Sequence, residues 1–302
     1  MKKNLRIAFM GTPDFAVASL KALILSGFKV AVVVTAPDRP SGRGRKLTAS
    51  AVKKYAQLQG IPVVQPSRLK DPVFLQKLEG YHANLQVVVA FRMLPEVVWK
   101  MPEYGTFNLH ASLLPDYRGA APINWAIING ETQTGVTTFF IDQQIDTGNI
   151  ILQKETTIGP QESAGELHDR LMKLGAELVV DTVSRIESGG VETRPQKHIE
   201  SPKTAPKLNP ENTRIRWEAP FLEVYNRIRG LSPYPGAWTL LENGADQLRI
   251  KVYGSRPSDI TDQGNPGTLK QDGKQLYVSC GNGWLELVEM QFPGKRRMPV
   301  HE

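Results

Sequence analysis

Short, continuous apolar runs alternate with helical patterns through the first 190 residues, and this alternation limits the possible folds more than any other feature. The runs predict strands at residues 5–10, 30–35, 62–64, 86–90, 106–110 and 136–142. Helical patterns between and after them cover about residues 49–60, 71–79, 120–130 and 163–188. Apolar strands without polar alternation indicate a sheet that is buried on both faces. We therefore predict an α/β domain with a mainly parallel sheet and helices on both faces.

The first predicted strand runs into the turn Gly11-Thr12-Pro13 and then into a helix. Thr12 is the predicted N-cap, Pro13 the first helical residue, and Gly27 the end of the helix. The sheet is Rossmann-like, but this turn lacks the G-x-G-x-x-G sequence that lets a pyrophosphate approach the backbone. A dinucleotide-dependent oxidoreductase is therefore disfavoured.

The character of the sequence changes near residue 190, which predicts a second domain. A chain of 302 residues exceeds the usual size of one core. Residues 191–210 are rich in proline and basic side chains and predict an extended linker after a catalytic domain of residues 1–190. Residues 211–302 give a helix and about five short, glycine-punctuated strands, which suggest a small OB-like β-barrel.

The net charge of +7 suggests an anionic partner, and its distribution is more informative than the total. Residues 38–54 contain six basic side chains and one acidic one, and residues 194–207 contain four and one. A solvated loop and a nucleic-acid contact both remain open for each run.

The single cysteine, Cys280, excludes an internal disulfide and a zinc site built from cysteines. The sequence has no H-E-x-x-H pattern and no histidine cluster, so no metal is expected. No apolar run approaches the roughly 20 residues that cross a bilayer. We expect a cytoplasmic protein that makes no membrane contact.

A candidate site for chemistry lies on the predicted strand at residues 106–110. Residues two apart on a strand share a face, so Asn108 and His110 project together while Leu109 packs on the other side. A polar loop follows the strand at 136–142 and carries Asp142 and Asp146, either of which could orient the histidine. Spacing alone leaves that choice open, as it leaves open a purely structural role for His110.

Asparagine, histidine and aspartate suit acyl transfer to an amine. Histidine can accept the proton that the attacking amine loses, and an asparagine N–H can donate to the developing oxyanion. The aspartate would hold the imidazole in one tautomer. No serine or cysteine is placed as a nucleophile, so direct transfer between two bound substrates is expected.

The stretches Asn108-Leu109-His110, Ser112 to Ile123 and Asp146-Thr147-Gly148 resemble the signatures of formyltransferases that use 10-formyltetrahydrofolate as formyl donor. This resemblance implies catalysis by Asn108, His110 and Asp146. It also implies donor contacts, partly through the backbone around residues 88–94. The positions it assigns to the donor are Ser112, Leu113, Leu114, Pro115, Val89, Phe91 and Leu94.

Three further features are similar to the branch of that family that acts on initiator methionyl-tRNA: the start Gly11 to Phe15, the arginine-rich loop at residues 38–46, and the C-terminal domain. This similarity implies a tRNA-binding C-terminal domain, a methionyl pocket at Phe15, and an enzyme that acts as a monomer without an obligate protein partner. The tRNA contacts it implies are Arg39, Arg43, Arg45, Lys46 and Lys207.

Two alternatives remain. A sugar-nucleotide formyltransferase would share Asn108, His110 and Asp146. It is disfavoured by the arginine-rich loop and by the absence of an appended dehydrogenase domain in these 302 residues. A non-catalytic RNA-binding protein would use the α/β domain as a scaffold only.

Overall fold

A computed structural model describes residues 2–41, 46–244, 246–262 and 264–302. Two compact units are present, each formed by segments that are not contiguous in sequence. The first contains Met1–Arg118, Gly135–Glu155 and Asp169–Pro202, and the second contains Gly119–Thr134, Thr156–His168 and Lys203–Glu302. The predicted domain boundaries at residues 190 and 210 stay predictions.

The first 190 residues hold the strands and helices of the α/β fold. The strands are β1 (Arg6–Gly11), β2 (Lys29–Val34), β3 (Arg39–Ser41), β4 (Lys46–Thr48), β5 (Val63–Val64), β6 (Leu85–Val89), β7 (Thr106–His110), β8 (Arg118–Gly119), β9 (Gln133–Phe140) and β10 (Ile150–Thr157). The helices are α1 (Asp14–Leu25), α2 (Ala51–Leu58), α3 (Pro72–Glu79), α4 (Glu96–Trp99), α5 (Pro122–Ile128) and α6 (Ala164–Ser188).

The central sheet has the strand order β10-β9-β7-β6-β1-β2-β5. Strands β5, β2, β1, β6 and β7 run parallel, and β9 pairs antiparallel with β7. Every residue of β6 is buried, as is every residue of β1 after the first, which is the burial that continuous apolar strands predict. The carboxyl ends of the parallel strands meet at one edge of this sheet, where open α/β sheets place ligands.

Side chains cap the starts of α2, α3 and α6, whereas α1, α4, α5 and α7 have no side-chain cap. Ser163 and Glu166 form a reciprocal capping box at the start of α6, with Ser163 N donating to Glu166 Oε2 over 2.8 Å. At α1 the N-cap is Pro13 and no side chain caps the helix, so the predicted cap at Thr12 is wrong by one residue. Pro13 has extended backbone angles there, which place it before the first helical turn.

The C-terminal residues form a helix and an antiparallel sheet. The elements are β11 (Thr204–Ala205), α7 (Phe221–Gly230), β12 (Ala237–Asn243), β13 (Asp246–Pro257), β14 (Leu269–Asp272), β15 (Gln275–Cys280), β16 (Gly283–Gln291) and β17 (Met298–Pro299). Strands β12-β13-β16-β15-β14 pair in that order, and β17 pairs with β16. The predicted fold class, a mostly parallel sheet with helices followed by an antiparallel C-terminal sheet, is confirmed.

Cys280 lies in the core of the C-terminal sheet and provides a test of its packing. The residue is 3% exposed, and burial raises the pKa of its thiol to about 12. Because the thiolate is the reactive form, we expect no reaction with iodoacetamide at neutral pH in the folded protein. Mass spectrometry should show one added carbamidomethyl group after unfolding in guanidinium chloride. Fast alkylation of the folded protein would contradict this burial.

Candidate active site

Strand β7 lies between β6 and β9 and presents Asn108 and His110 on one face of the sheet. Asn108 pairs in register with Val88 of β6, and His110 lies opposite Thr137 of β9. Leu109 points to the other face and packs against α6, where a Cβ added at Gly175 would lie 2.7 Å from a Leu109 methyl group. The alternation along β7 therefore separates a packing side chain from two polar ones, as the sequence predicts.

His110 is 6% exposed, and each of its two ring nitrogens faces a polar group. Nε2 lies 2.8 Å from the carbonyl oxygen of Tyr117, which can only accept a hydrogen bond. The proton therefore sits on Nε2, and Nδ1 of the neutral ring carries the lone pair. Nδ1 lies 3.8 Å from Oδ2 of Asp146, too long for a direct hydrogen bond but close enough for a carboxylate to stabilise a protonated ring.

The tautomer of His110 is fixed by the backbone of Tyr117, and not by an aspartate as the sequence suggested. Tyr117 has a φ of 61°, in the left-handed region, so its carbonyl group is directed by an uncommon backbone conformation. Sequence reasoning missed this contact because a main-chain carbonyl group leaves no signature in the residue type.

Several hydrogen bonds from side chains and from the backbone hold the turn that follows β7. Ser112 Oγ donates to Asp116 O over 2.7 Å, and Thr137 Oγ1 donates to Ser112 O over 2.6 Å. Thr137 Oγ1 also accepts from Leu114 N and from Gln153 Nε2. These bonds hold the predicted donor-binding residues 112–115 next to His110. Ser112 and Leu114 are buried.

The loop between β9 and β10 carries the two candidate aspartates in different roles. Asp142 is exposed, and its Oδ1 accepts from Gln144 N and from Thr147 Oγ1, as expected of a turn residue. The Asp146 side chain is 14% exposed and faces His110. Gly148 is required in this loop because a Cβ there would lie 1.7 Å from Phe140 O. Asp146 is therefore the aspartate that geometry pairs with His110.

A cavity of about 750 Å³ adjoins the predicted donor-binding segment at residues 88–94. Its lining includes Leu94, the basic side chains of Arg68, Lys70 and Arg92, and the acidic side chain of Glu96. The Arg92 guanidinium donates to the carbonyl oxygens of Pro66 and Ser67. Burial, and to a smaller extent the Arg39 cation, lower the pKa of this guanidinium. Three basic side chains and one acidic side chain along the lining favour an anionic ligand.

The other predicted donor contacts differ in how accessible their side chains are. Val89 is fully buried and Leu94 is 7% exposed, whereas Phe91 is half-buried against the core that contains Leu94. A ligand could reach the first two only through their backbone groups. Phe15, the predicted methionyl-pocket residue, is 6% exposed in the first turn of α1.

The predicted RNA-binding loop is anchored at its base. Asp38 accepts hydrogen bonds from Lys53 Nζ over 2.6 Å and from Gln65 Nε2 over 2.7 Å. The bond from Lys53, and then that from Gln65, hold the pKa of the Asp38 carboxyl group below its usual value. Strands β3 and β4 rise from this anchor as an antiparallel pair.

The residues predicted to contact RNA differ in exposure and in the element and unit to which they belong. Arg39 is exposed on β3, Lys46 belongs to β4, and Lys207 is exposed in the second unit. Arg43 and Arg45 lie outside the described residues.

Within the part of the chain that the structure describes, no three histidine, cysteine or acidic side chains are grouped closely enough to hold a metal ion. Among the same residues, no helix combines the length and the apolar character that a membrane crossing requires.

Two family models match the chain. Formyl transferase matches residues 5–183, and the formyl transferase C-terminal domain matches residues 207–302. The fold and the site on β7 therefore define a formyl transferase. The methionyl-tRNA formyltransferase of Flavobacterium johnsoniae is 53% identical over 300 residues, which is 99% of this chain and 95% of that protein. The methionyl-tRNA formyltransferase of Bacteroides fragilis is 48% identical over 306 residues, 100% of this chain and 94% of that protein.

This chain belongs to the methionyl-tRNA formyltransferases. The resemblance seen in the sequence is thereby confirmed. Among solved structures, an N-formyltransferase from Helicobacter canadensis in complex with folinic acid and dTDP-3-aminofucose has a TM-score of 0.69 at 22% identity. That match covers 94% of this chain and 98% of the Helicobacter chain, and at this identity it supports the fold alone.

Proposed function

We propose that this chain transfers the formyl group of 10-formyltetrahydrofolate to the free amino group of methionyl initiator tRNA by direct acyl transfer. The observation that carries the proposal is the His110–Asp146 pair beside the turn at residues 112–115. The pair occurs in a chain that resembles methionyl-tRNA formyltransferases over almost its whole length. The donor supplies the formyl group, and the residues of the chain bind it, orient it and move a proton.

Asn108 is the group that we assign to the developing oxyanion. It is half-buried on β7, on the same face of the strand as His110. A carboxamide N–H on this face can donate to the formyl oxygen as negative charge develops there.

His110 is the group that we assign to proton transfer. Because Nε2–H donates to Tyr117 O, Nδ1 is the basic nitrogen and accepts the proton that the amine loses as its nitrogen bonds to the formyl carbon. The Asp146 carboxylate stabilises the resulting imidazolium. Nδ1 then returns the proton to the donor nitrogen as its bond to the formyl carbon breaks.

The cavity lined by Arg68, Lys70 and Arg92 supports an anionic donor, because a folate carries carboxylate groups at neutral pH. Membership of the formyl transferase family supports the same class of ligand. The donor therefore fits residues that this chain contains.

One assay tests the proposed function as a whole. Purified protein is incubated with 10-formyltetrahydrofolate and, separately, with charged initiator tRNA, charged elongator tRNA and an amino-sugar nucleotide. We expect formyl transfer to methionyl initiator tRNA only. Transfer to the sugar nucleotide instead would overturn the proposal, and so would the absence of transfer to every acceptor.

The arginine-rich loop gives a prediction about tRNA binding. The double variant Arg43→Glu and Arg45→Glu should raise the KM for tRNA by about 10-fold or more, because each arginine that contacts a phosphate contributes to affinity. The slope of log affinity against log salt should fall by about one for each lost contact. Both quantities are measured by initial-rate kinetics and filter binding at several salt concentrations.

The control for this prediction changes the net charge equally at a remote position. Lys21→Glu with Lys29→Glu alters two exposed lysines, of which Lys29 opens β2 at the amino end of the parallel strands. This variant should retain the wild-type KM and salt slope. An unchanged KM in the Arg43 and Arg45 variant would remove the loop from the mechanism.

A further inference from the structure

Gln196 lies outside both stretches that match the family models, since one ends at residue 183 and the other begins at residue 207. The sequence places it in the basic extended segment, where it looks like an ordinary linker residue. In the structure, backbone hydrogen bonds join the segment to β10 at Arg194. Ile150 N donates to Arg194 O over 2.8 Å, and Arg194 N donates to Ile150 O over 3.0 Å.

The Gln196 carboxamide bridges the two signature motifs. Its Nε2 donates to Asp146 O over 2.8 Å and to Gly148 O over 2.9 Å. Its Oε1 accepts from Arg118 Nη2 over 2.6 Å and from Arg118 Nε over 3.2 Å. Arginine only donates and carbonyl groups only accept, so these partners determine the orientation of the amide.

These bonds hold the backbone of the loop at Asp146, the residue that faces His110. Asp146 has a φ of 56°, a left-handed conformation that an aspartate adopts at some cost and that its surroundings must maintain. The two amide hydrogens of Gln196 hold the carbonyl groups on both sides of Thr147. The Asp146 carboxylate thereby stays 3.8 Å from His110 Nδ1.

Two adjacent residues, Tyr117 and Arg118, help to position both members of the His110–Asp146 pair. The Tyr117 carbonyl group holds His110 Nε2, and the next side chain, Arg118, holds Gln196. The imidazole and the carboxylate are thus positioned from adjacent residues by two separate routes.

We propose that Gln196 is a positioning residue for formyl transfer, which holds Asp146 against His110 and is itself oriented by Arg118. The inference rests on the proposed function for its kinetic consequences. The structural part of the inference does not depend on the proposed function. Without Gln196 the loop at residues 141–149 should become more mobile, whatever the formyl acceptor is.

The first arm of the test is kinetic. Gln196→Ala should lower kcat by about 10- to 100-fold, since a misplacement of about 1 Å at a reacting group costs up to about 100-fold. The KM for each substrate should change by less than about 3-fold, because Gln196 contacts the loop and not a substrate. Gln196→Glu can still pair with Arg118 but has no N–H to donate, and it should lose at least as much activity. A glutamate variant with wild-type kcat would overturn the inference.

A double-mutant cycle separates positioning from general stability. If Gln196 acts through Asp146, then adding Gln196→Ala to Asp146→Asn should cost less than about 3-fold in kcat. A full 10- to 100-fold loss in that background would show that Gln196 acts elsewhere and would overturn the inference. Thr193→Ala changes an exposed side chain in the same segment and should keep the wild-type kcat.

The second arm needs no activity. Hydrogen–deuterium exchange of the peptide that covers residues 141–149 should be faster in Gln196→Ala than in the wild type or Thr193→Ala, with the rest of the first unit unchanged. Unchanged exchange in this peptide would overturn the inference. If the wild type formylates no acceptor, the proposed function fails. Faster exchange of residues 141–149 in Gln196→Ala would still show that Gln196 holds this loop in place.

Discussion

Replacing His110 with alanine is expected to lower kcat by about 10²- to 10⁴-fold, the range that general acid–base groups contribute. The variant loses Nδ1, the basic nitrogen that lies 3.8 Å from Asp146 Oδ2. The affinity for tRNA should remain nearly unchanged because His110 is 6% exposed and lies away from the basic runs in the sequence. Single-turnover formylation at saturating substrate measures the rate, and filter binding measures the affinity.

The control for this experiment is His301→Ala, which removes an exposed imidazole near the end of the chain. It should retain the wild-type kcat. Because the buried carbonyl group of Tyr117 loses its partner in His110→Ala, a circular dichroism spectrum and a melting temperature must accompany the kinetics. Full activity in a folded His110→Ala protein would contradict the catalytic assignment.

Replacing Gly148 with alanine should cost about 10²-fold in kcat and destabilise the fold by about 1–3 kcal/mol. The added Cβ would lie 1.7 Å from Phe140 O and 2.9 Å from Phe140 C, and both atoms belong to the backbone of β9. A strand that is paired in the sheet cannot move aside, so the loop must shift and carry Asp146 with it. Formylation kinetics and urea denaturation measure the two effects.

A matched control is Gly190→Ala, because a Cβ at that position would meet no atom closer than 3.8 Å. It should leave kcat unchanged and alter the urea midpoint little. Wild-type kinetics in Gly148→Ala would show that the loop tolerates displacement, and would weaken the assignment of Asp146 as the partner of His110.

The layout of the sheet could be predicted because it depends on burial, which the sequence encodes residue by residue. Strands β6 and β7 are recognisable from their apolar runs, and the period of two alone separates Leu109 from its polar neighbours. β10 was missed because it is buried only at Ile150 and Ile151 and is half-buried or exposed beyond them. An edge strand of this kind has little apolar pattern to detect.

The pairing within the site could be predicted only in part. Asn108 and His110 share a strand, so local geometry relates them. The choice between Asp142 and Asp146 depends on turn hydrogen bonds and on a left-handed φ at Asp146, which two aspartates in one polar loop do not reveal. Gln196 lies fifty residues after that loop and meets it through tertiary contacts only. No local pattern carries such information.

The hydrogen bond from His110 to Tyr117 has an evolutionary consequence, because its acceptor is a main-chain oxygen. A point mutation can replace the tyrosine side chain but cannot delete the carbonyl group that fixes the imidazole tautomer. A substitution at position 117 therefore affects the contact only through the left-handed backbone conformation, which asparagine, aspartate or glycine adopts more readily than tyrosine. We therefore expect that Tyr117→Asn keeps the hydrogen bond to His110 Nε2.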